Sequence, residues 1–436
     1  MIRETRSSAT MTTMRAVMMT DEEQAMLDGA QGDGVAFAMR LVVRLAEAMG
    51  ATALRPISGA HIDSCLYHGQ AGLDFVRVLV DGGANVTVPT TLNVSSLDLL
   101  HPDLYRGDDE TKVAARALMD GYVALGCTPT WTCAPYQREV RPGFGEHVAW
   151  AESNAIVFAN SVLGARTHRY GDFIDIAAAI TARVPDAGLH LDEGRRATKV
   201  VDVSGLSPAL LATDMAYTVI GYVVGRECGS EIPAIVGLPA STSEDQLKAL
   251  GATAASSGSL AMFHAVGITP EAGTLDDACG GIIPDTPLIV TAEACRHARD
   301  ALSTATGTRL ATVSLGTPHY SVREIGALSS AMGDRRVHPS VDLYVSTGRE
   351  MLAEASRHGW VAHLEDAGVS FVTDTCTYIT PIVRDHEGVA MTDSGKWAYY
   401  APGNLGVEVV FGSLRECVDS AVAGEIMRDP ELWADV

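Results

Sequence analysis

The sequence contains no apolar run approaching the ~18 residues of a membrane span, so no transmembrane helix is expected. Met1–Thr20 holds five methionines and three arginines but no apolar signal core. It reads as a leader over residues 1–19, export is not expected, and the cytoplasm is the expected location. There is no Cys-x-x-Cys among the eight cysteines, which removes thioredoxin-type and zinc-ribbon readings. Without a signal core or a dense cysteine framework, disulfides are not expected either. Basic clusters are missing: 32 Lys and Arg face 54 Asp and Glu, a net charge of −22 spread along the chain. That balance favours solubility and disfavours nucleic acid, whose phosphates need clustered cations. No G-x-G-x-x-G turn follows a strand pattern, so a dinucleotide enzyme is disfavoured. Fixed-period repeats and low-complexity segments are also missing.

What remains is a chain of 436 residues, 47% hydrophobic, which is long enough for two or three subdomains. Helical and strand patterns alternate along it. Gly32–Gly50 and Leu73–Val80 read as helices, Ala53–Ile57 and Asn85–Val88 as strands. Later, strands are expected at Lys199–Val203, Ile232–Val236, Leu260–His264, Leu288–Val290, Ala311–Leu315, Val341–Val345, Val369–Thr373 and Val407–Phe411. Helices at Pro208–Val224 and Glu244–Ser256 fall among them. Thr20-Asp21-Glu22-Glu23 has the form of a capping box. This is an α/β pattern of parallel sheets flanked by helices. It divides into α/β units at 20–197, 198–280 and 281–436.

Ligands of such sheets sit beyond the carboxyl ends of the strands. Cys376 in Asp374-Thr375-Cys376, His319 in Gly316-Thr317-Pro318-His319, and His264 all lie at such exits. A second concentration of chemistry begins at Thr132-Cys133-Ala134-Pro135-Tyr136. It continues through Glu152-Ser153-Asn154 to Arg166-Thr167-His168-Arg169. A segment meant only to pack would not gather a thiol, a carboxylate, amides and two arginines, each needing a partner when buried. Cys417 falls in the first turns of a helix that Ser413 would cap, where the helix dipole favours thiolate. Cys133, Cys376 and Cys417 on three separate segments could hold three corners of an iron–sulfur cluster with one iron open. Buried apolar cysteines account for the same spacing, and pattern alone leaves both readings standing.

The motifs together resemble aconitase X. The resemblance runs through Gly59-Ala60-His61-Ile62-Asp63, Val88-Pro89-Thr90-Thr91-Leu92-Asn93-Val94 and the Cys133 segment. Further matches are Glu152 to Arg169, Gly188-Leu189-His190-Leu191-Asp192 and Gly267-Ile268-Thr269-Pro270-Glu271-Ala272. The last are the His319 and Cys376 motifs and Ser394-Gly395-Lys396. The order is kept from about Thr20 onward, and the similarity is to the large subunit or catalytic portion. It implies an aconitase-like fold and an iron–sulfur dehydratase with Cys133, Cys376 and Cys417 as ligands. In bacteria the family dehydrates cis-3-hydroxy-L-proline to a pyrroline carboxylate, and in archaea phosphomevalonate. The family's small swivelling domain, whose Ser-bearing loop supplies the base, has no counterpart in these residues. A separate small subunit is therefore the expected partner. Ser256-Ser257-Gly258-Ser259 is superficially similar to that loop but reads as a turn. His168, where the family often has Asn, and Cys127, where an apolar residue is expected, depart from the pattern.

Roles follow from the reaction. Removing water from a β-hydroxy acid needs a base for the α-proton, help for the leaving hydroxide and a carboxylate clamp. Arg166 or Arg169 could grip the carboxylate in bidentate fashion, or serve structural ion pairs. Lys396 and Ser394 could bind the charged end of the substrate, or form a helix start. Glu152, Ser153 and Asn154, with Thr167 and His168, could orient it; a capped helix is the alternative for the first three. His61, His264 and His319 could pass protons or support ligands, as lone core histidines also do. The expectation is a cis-3-hydroxy-L-proline dehydratase large subunit. Rivals are a phosphomevalonate dehydratase, a ligand-sensing subunit without catalysis, and an enzyme using one iron or zinc.

Overall fold

The computed structural model describes residues 17–138 and 141–430. Most of residues 1–19, read as a leader, therefore lie outside the described residues. Thr20 does cap the helix Asp21–Leu27: its hydroxyl accepts from the Glu23 N–H while the Glu23 carboxylate accepts from the Thr20 N–H.

Three parallel sheets organise the chain. The first has the order Thr90–Leu92, Ala60–Ile62, Ala149–Trp150, with Ala60 opposite both Thr90 and Ala149. Helices Asp33–Met49, Gln70–Asp81 and Asp109–Ala124 accompany it. In the first of these helices Val35, Ala38, Met39, Val42 and Ala46 recur at helical spacing and are buried, and Gly50 at φ +69° ends the run. The second sheet holds His264–Ala265, Pro233–Val236, Lys199–Asp202 and Leu288–Ile289 in that order. Two long helices, Asp214–Cys228 and Glu244–Ser257, belong to it and pack closely. A Cβ on Gly221 would lie 2.3 Å from the Leu250 carbonyl oxygen, so only glycine permits this approach.

The third sheet has five parallel strands in the order Val369–Val372, Asp342–Thr347, Leu310–Tyr320, Val389–Thr392, Val409–Phe411. Its central strand is buried along its length, as a sheet covered on both faces requires. One apolar core runs between the second and third sheets, joining Val201, Leu250 and Phe263 to Cys376, Trp397 and Phe411. No helix among the described residues is long and apolar enough to cross a membrane.

Several boundaries differ from the sequence pattern. Asn85–Val88 forms no strand; the ladder begins at Thr90, beyond Pro89, which cannot donate to a neighbour. Of Leu260–His264 only His264 pairs in the sheet. The expected helix Pro208–Val224 is two helices, Pro208–Leu211 and Asp214–Cys228, because the Thr213 hydroxyl accepts from Ala216 N–H and restarts the helix. Strand Val389–Thr392 was not foreseen. Ser256 and Ser257 end the long helix, their hydroxyls donating to the Ala252 and Thr253 carbonyls at 2.8 and 2.9 Å.

Candidate active site

The first and third sheets bring the carboxyl ends of their strands to one region, and the site is built from the residues that leave those ends. From the first sheet come Asp63 after Ile62, Asn93 after Leu92, and Glu152 shortly after Trp150. Because Ile62 and Leu92 are paired in register, Asp63 and Asn93 emerge side by side. From the third come His319 at the end of the central strand, Cys376 after Val372, and Ser394 and Lys396 after Thr392.

Cys133, His319 and Cys376 form a buried group whose ligand-type atoms lie within 4.8 Å of one another. The His319 backbone N–H donates to Cys133 Sγ at 3.3 Å. The His319 ring lies between the Thr132 hydroxyl, 3.0 Å from Nδ1, and the Thr375 carbonyl, 3.1 Å from Nε2. A carbonyl can only accept, so the proton is assigned to Nε2 and Nδ1 accepts. Burial lowers this imidazole to about 4, which keeps it neutral. Hydrogen bonding to Cys133, together with burial, holds the Cys376 thiol well above its ordinary range. Both cysteines follow a non-glycine residue in the left-handed region, Trp131 at φ 46° and Asp374 at φ 62°. Arg349 clamps the Asp374 carboxylate with two bonds of 2.6 Å, holding that backbone in place.

A buried ion pair stands beside the thiols. Lys396 Nζ donates to the Glu152 carboxylate and, at 3.2 Å, to Ser153 Oγ. Burial opposes the Lys396 ammonium, but Glu152 outweighs it and keeps the group well above its ordinary value. Glu152 also caps the helix Ser153–Phe158, accepting from Ala155 N–H at 2.9 Å. Asn154 Nδ2 donates to the Cys133 carbonyl at 3.0 Å, and Tyr136 OH donates to Asn154 Oδ1 at 2.5 Å. Glu152 thus caps its helix through one oxygen and binds Lys396 through the other. Ser394 caps its own helix through Trp397 N–H and donates to the Thr317 carbonyl. Behind the site, Lys248 Nζ binds Glu324 and reaches the His319 carbonyl at 3.4 Å, tying the second unit to the strand that carries His319.

Asp63, Asn93 and His61 complete the site. His61 Nδ1 lies 2.8 Å from Thr91 Oγ1, while its Nε2 is buried without a partner. Burial lowers the ring to about 3. Asn93 Nδ2 donates to the Asp63 carboxylate, and Asn93 Oδ1 is buried without a partner. Burial, with Glu152 and Asp172 nearby, pushes Asp63 up to about 7.

Other expected site residues have different surroundings. Cys417 lies outside the thiol group, buried in the apolar core of the third unit with Leu328, Met391 and Val418. With Val418 and Ala421 it forms the inward stripe of the helix Leu414–Ala423, and burial raises its thiol well above the ordinary range, the opposite of the expected dipole effect. Arg166 binds Asp192 and the His190 carbonyl, and Arg169 donates to the Leu260 carbonyl. Thr167 binds Trp150 and Asn160. His168 Nδ1 accepts from Arg169 N–H at 2.8 Å. His264 Nε2 meets the Arg195 carbonyl at 2.7 Å. Asp63 and Asn93 were missed because the sequence pattern put the strands at Ala53–Ile57 and Asn85–Val88, whose exits fall short of them; the strands that carry them are Ala60–Ile62 and Thr90–Leu92.

Comparison with known proteins now decides the family. Aconitase X models match the chain three times: the first domain over residues 16–193, the second over 197–300 and the third over 310–423. The chain belongs to the aconitase X family. A cis-3-hydroxy-L-proline dehydratase of Pseudomonas aeruginosa is 42% identical over 94% of this chain and 71% of its own length. One from Hypocrea jecorina is 40% identical over 94% of this chain and 69% of its own. A phosphomevalonate dehydratase large subunit of Methanothermobacter thermautotrophicus is 37% identical, covering 91% and 96%. The crystal structure of Thermococcus kodakaraensis aconitase X in its holo-form aligns with a TM-score of 0.82 at 32% identity, covering 93% of this chain and all of that one.

The donor set suits the soft metal centre that the resemblance implies. Two buried thiols with an adjacent imidazole match iron or an iron–sulfur unit better than a hard oxygen-loving cation. A third thiol at this point is not supplied by Cys417.

Proposed function

We propose that this chain is the large part of a hydro-lyase that dehydrates cis-3-hydroxy-L-proline to a pyrroline-2-carboxylate. The observation that carries the reading is the pair of buried thiols, Cys133 and Cys376, meeting beside the Glu152–Lys396 pair at the strand exits. The names of the two relatives at 42% and 40% identity support the substrate. The charge around the site supports it too, since Asp63 and Glu152 surround Lys396 where a phosphorylated acid would need surplus cations.

Cys133 and Cys376, with His319 beside them, would hold an iron or iron–sulfur centre. When bound, such a centre supplies the Lewis acidity that loosens a substrate hydroxyl. The chain's own residues do the rest of the positioning. Lys396 and Ser153 present donors to the carboxylate end, while Glu152 keeps the Lys396 ammonium in place. Neutral His61 would orient the substrate through a ring hydrogen bond; burial holds its pKa too far below neutrality for it to serve as the acid for the departing hydroxyl. The base for the α-proton is assigned to a small swivelling-domain partner. The large-subunit relatives support that assignment.

Iron and acid-labile sulfide on anaerobically prepared chain, with Cys133→Ala and Cys376→Ala alongside, test the centre. Hydroxyproline consumption in the presence of the partner tests the reaction. Metal lost in both variants together with turnover by wild type supports the reading. Full metal content in both variants, or turnover of phosphomevalonate in place of hydroxyproline, overturns it.

A further inference from the structure

Asp63 brings a carboxyl group into the site with no cation of its own, and an arriving cation would favour its ionised form. Among the described residues no Lys or Arg pairs with it, because Lys396 is bound to Glu152. Its carboxylate receives one hydrogen bond, from Asn93 Nδ2. An ionised carboxylate only accepts, so the Asn93 amide must turn its nitrogen to Asp63 and its oxygen away. That oxygen is buried beside the His61 ring, makes no hydrogen bond of good geometry, and has two lone pairs, so it can take a ligand N–H even with His61 next to it. A buried acceptor left open in this way ordinarily costs stability, and a ligand donor would remove the cost. Two acceptors, one anionic and one neutral, therefore stand side by side on adjacent strand ends. The complement is a cationic group with two N–H bonds.

We propose that Asp63 and Asn93 together form the receptor for the ring ammonium of the substrate, the Asp63 carboxylate taking one N–H and Asn93 Oδ1 the other. This rests on the dehydratase reading above and deepens it by naming the residues that select an amino acid over other hydroxy acids. A secondary ammonium carries two N–H bonds and one positive charge, which matches both acceptors. A phosphorylated hydroxy acid carries neither. Asp63 is a binding residue in this account, not the base.

The experiment uses the metal-loaded chain with its partner for kinetics, and the metal-loaded chain for calorimetric titration. Probes are cis-3-hydroxy-L-proline, L-proline and cyclopentanecarboxylate, which keeps the ring and carboxylate but has no ammonium. Asp63→Asn is near-isosteric and is expected to raise KM for hydroxyproline roughly 10- to 100-fold while kcat changes less than about threefold, as loss of a charged hydrogen bond predicts. Asn93→Ala should raise KM by about 10-fold. Wild type should prefer L-proline to cyclopentanecarboxylate, and Asp63→Asn should bind the two alike. Asp63→Glu, which keeps the charge, should recover part of that preference, a result that a folding defect would not give. Unchanged KM and preference in Asp63→Asn overturn the receptor and leave the dehydratase reading intact. Asp63-dependent binding of L-proline without hydroxyproline turnover overturns the dehydratase reading and leaves the receptor. Wild type that treats L-proline and cyclopentanecarboxylate alike overturns the receptor.

Discussion

Two buried polar clusters in this molecule differ in how completely they are closed. Around Arg195 the guanidinium donates to both Glu271 oxygens, to the side chain and carbonyl of Asn160, and to the Leu189 and Ala165 carbonyls, at 2.6–3.1 Å. Nothing on that guanidinium is left to offer a ligand. Around Asp63, which is only partly buried, His61 Nε2 and Asn93 Oδ1 make no hydrogen bond of good geometry, and among the described residues no ion pair reaches Asp63. Both clusters come from motifs rich in polar residues. The lesson is that polarity marks neither as a site; what separates them is whether the protein satisfies its own groups.

The largest effect should come from Lys396→Met. It leaves Glu152 charged and uncompensated beside the thiols, and kcat/KM should fall by about 1,000-fold, the scale of losing a donor aimed at developing charge. Steady-state kinetics with the partner present checks it, and a loss under tenfold would place Lys396 outside the chemistry. The matching cut through the closed cluster is Arg195→Leu. Removing one member of a buried ion pair costs about 3–5 kcal/mol, so the urea midpoint should drop sharply while the KM of the folded fraction stays unchanged. A large KM change there would mean that the two clusters are not separable.

A smaller effect has a definite sign with pH. Asp63 has an ordinary value of 3.8 and is held at about 7 in the folded chain. Between those values the native chain keeps a proton that the unfolded chain has released, so Asp63 lowers stability as pH rises through that window. His61 acts in the opposite direction, since its ring is lowered from 6.5 to about 3 and stability falls as pH drops below 6.5. Asp63→Asn removes the first slope and leaves the second. The ligand-free variant should therefore be more stable than wild type at pH 8, by at most about 4 kcal/mol for the full shift, with the difference vanishing near pH 4. Denaturant titrations at pH 4, 6 and 8 measure it. A variant less stable at pH 8 would show that Asp63 contributes to the fold, as Arg195 does.

Much of the fold was legible in the sequence but this contrast was not, and the omissions have physical causes. Strands Lys199–Asp202, Pro233–Val236 and Asp342–Thr347 show apolar runs with clear ends, and the helix Glu244–Ser257 carries its cap at Ser243. Val389–Thr392 was missed because four residues between Gly388 and Asp393 hold too little periodicity to register. Cys133, Cys376, His319, Glu152 and Lys396 were all singled out as candidates, but in separate groups and alongside Cys417, His264 and Arg166. Arg166 and Arg169 were as plausible a clamp as a structural pair, because their partners, Asp192 and the Leu260 carbonyl, lie 26 and 91 positions away. Asp63 and Asn93 escaped notice because their strands are only three residues each, too short for periodicity to register, and only the parallel pairing of Ile62 with Leu92 sets them side by side.

Cys417 gives the finest division between a residue that closes the core and one that opens a site. The spacing of Cys417, Val418 and Ala421 on the helix Leu414–Ala423 already describes an inward stripe, and the structure buries that stripe beside Met391. Removing the sulfur leaves a small void among side chains that can partly close on it, so Cys417→Ala should cost about 1 kcal/mol. Metal content should remain that of wild type, since Sγ of Cys417 lies outside the group formed by Cys133, His319 and Cys376. Iron analysis and a thermal midpoint on the same preparation read both quantities. Loss of iron without loss of stability would move Cys417 from the core to the metal centre, and would require the helix Leu414–Ala423 to turn its stripe toward Cys376 when metal binds.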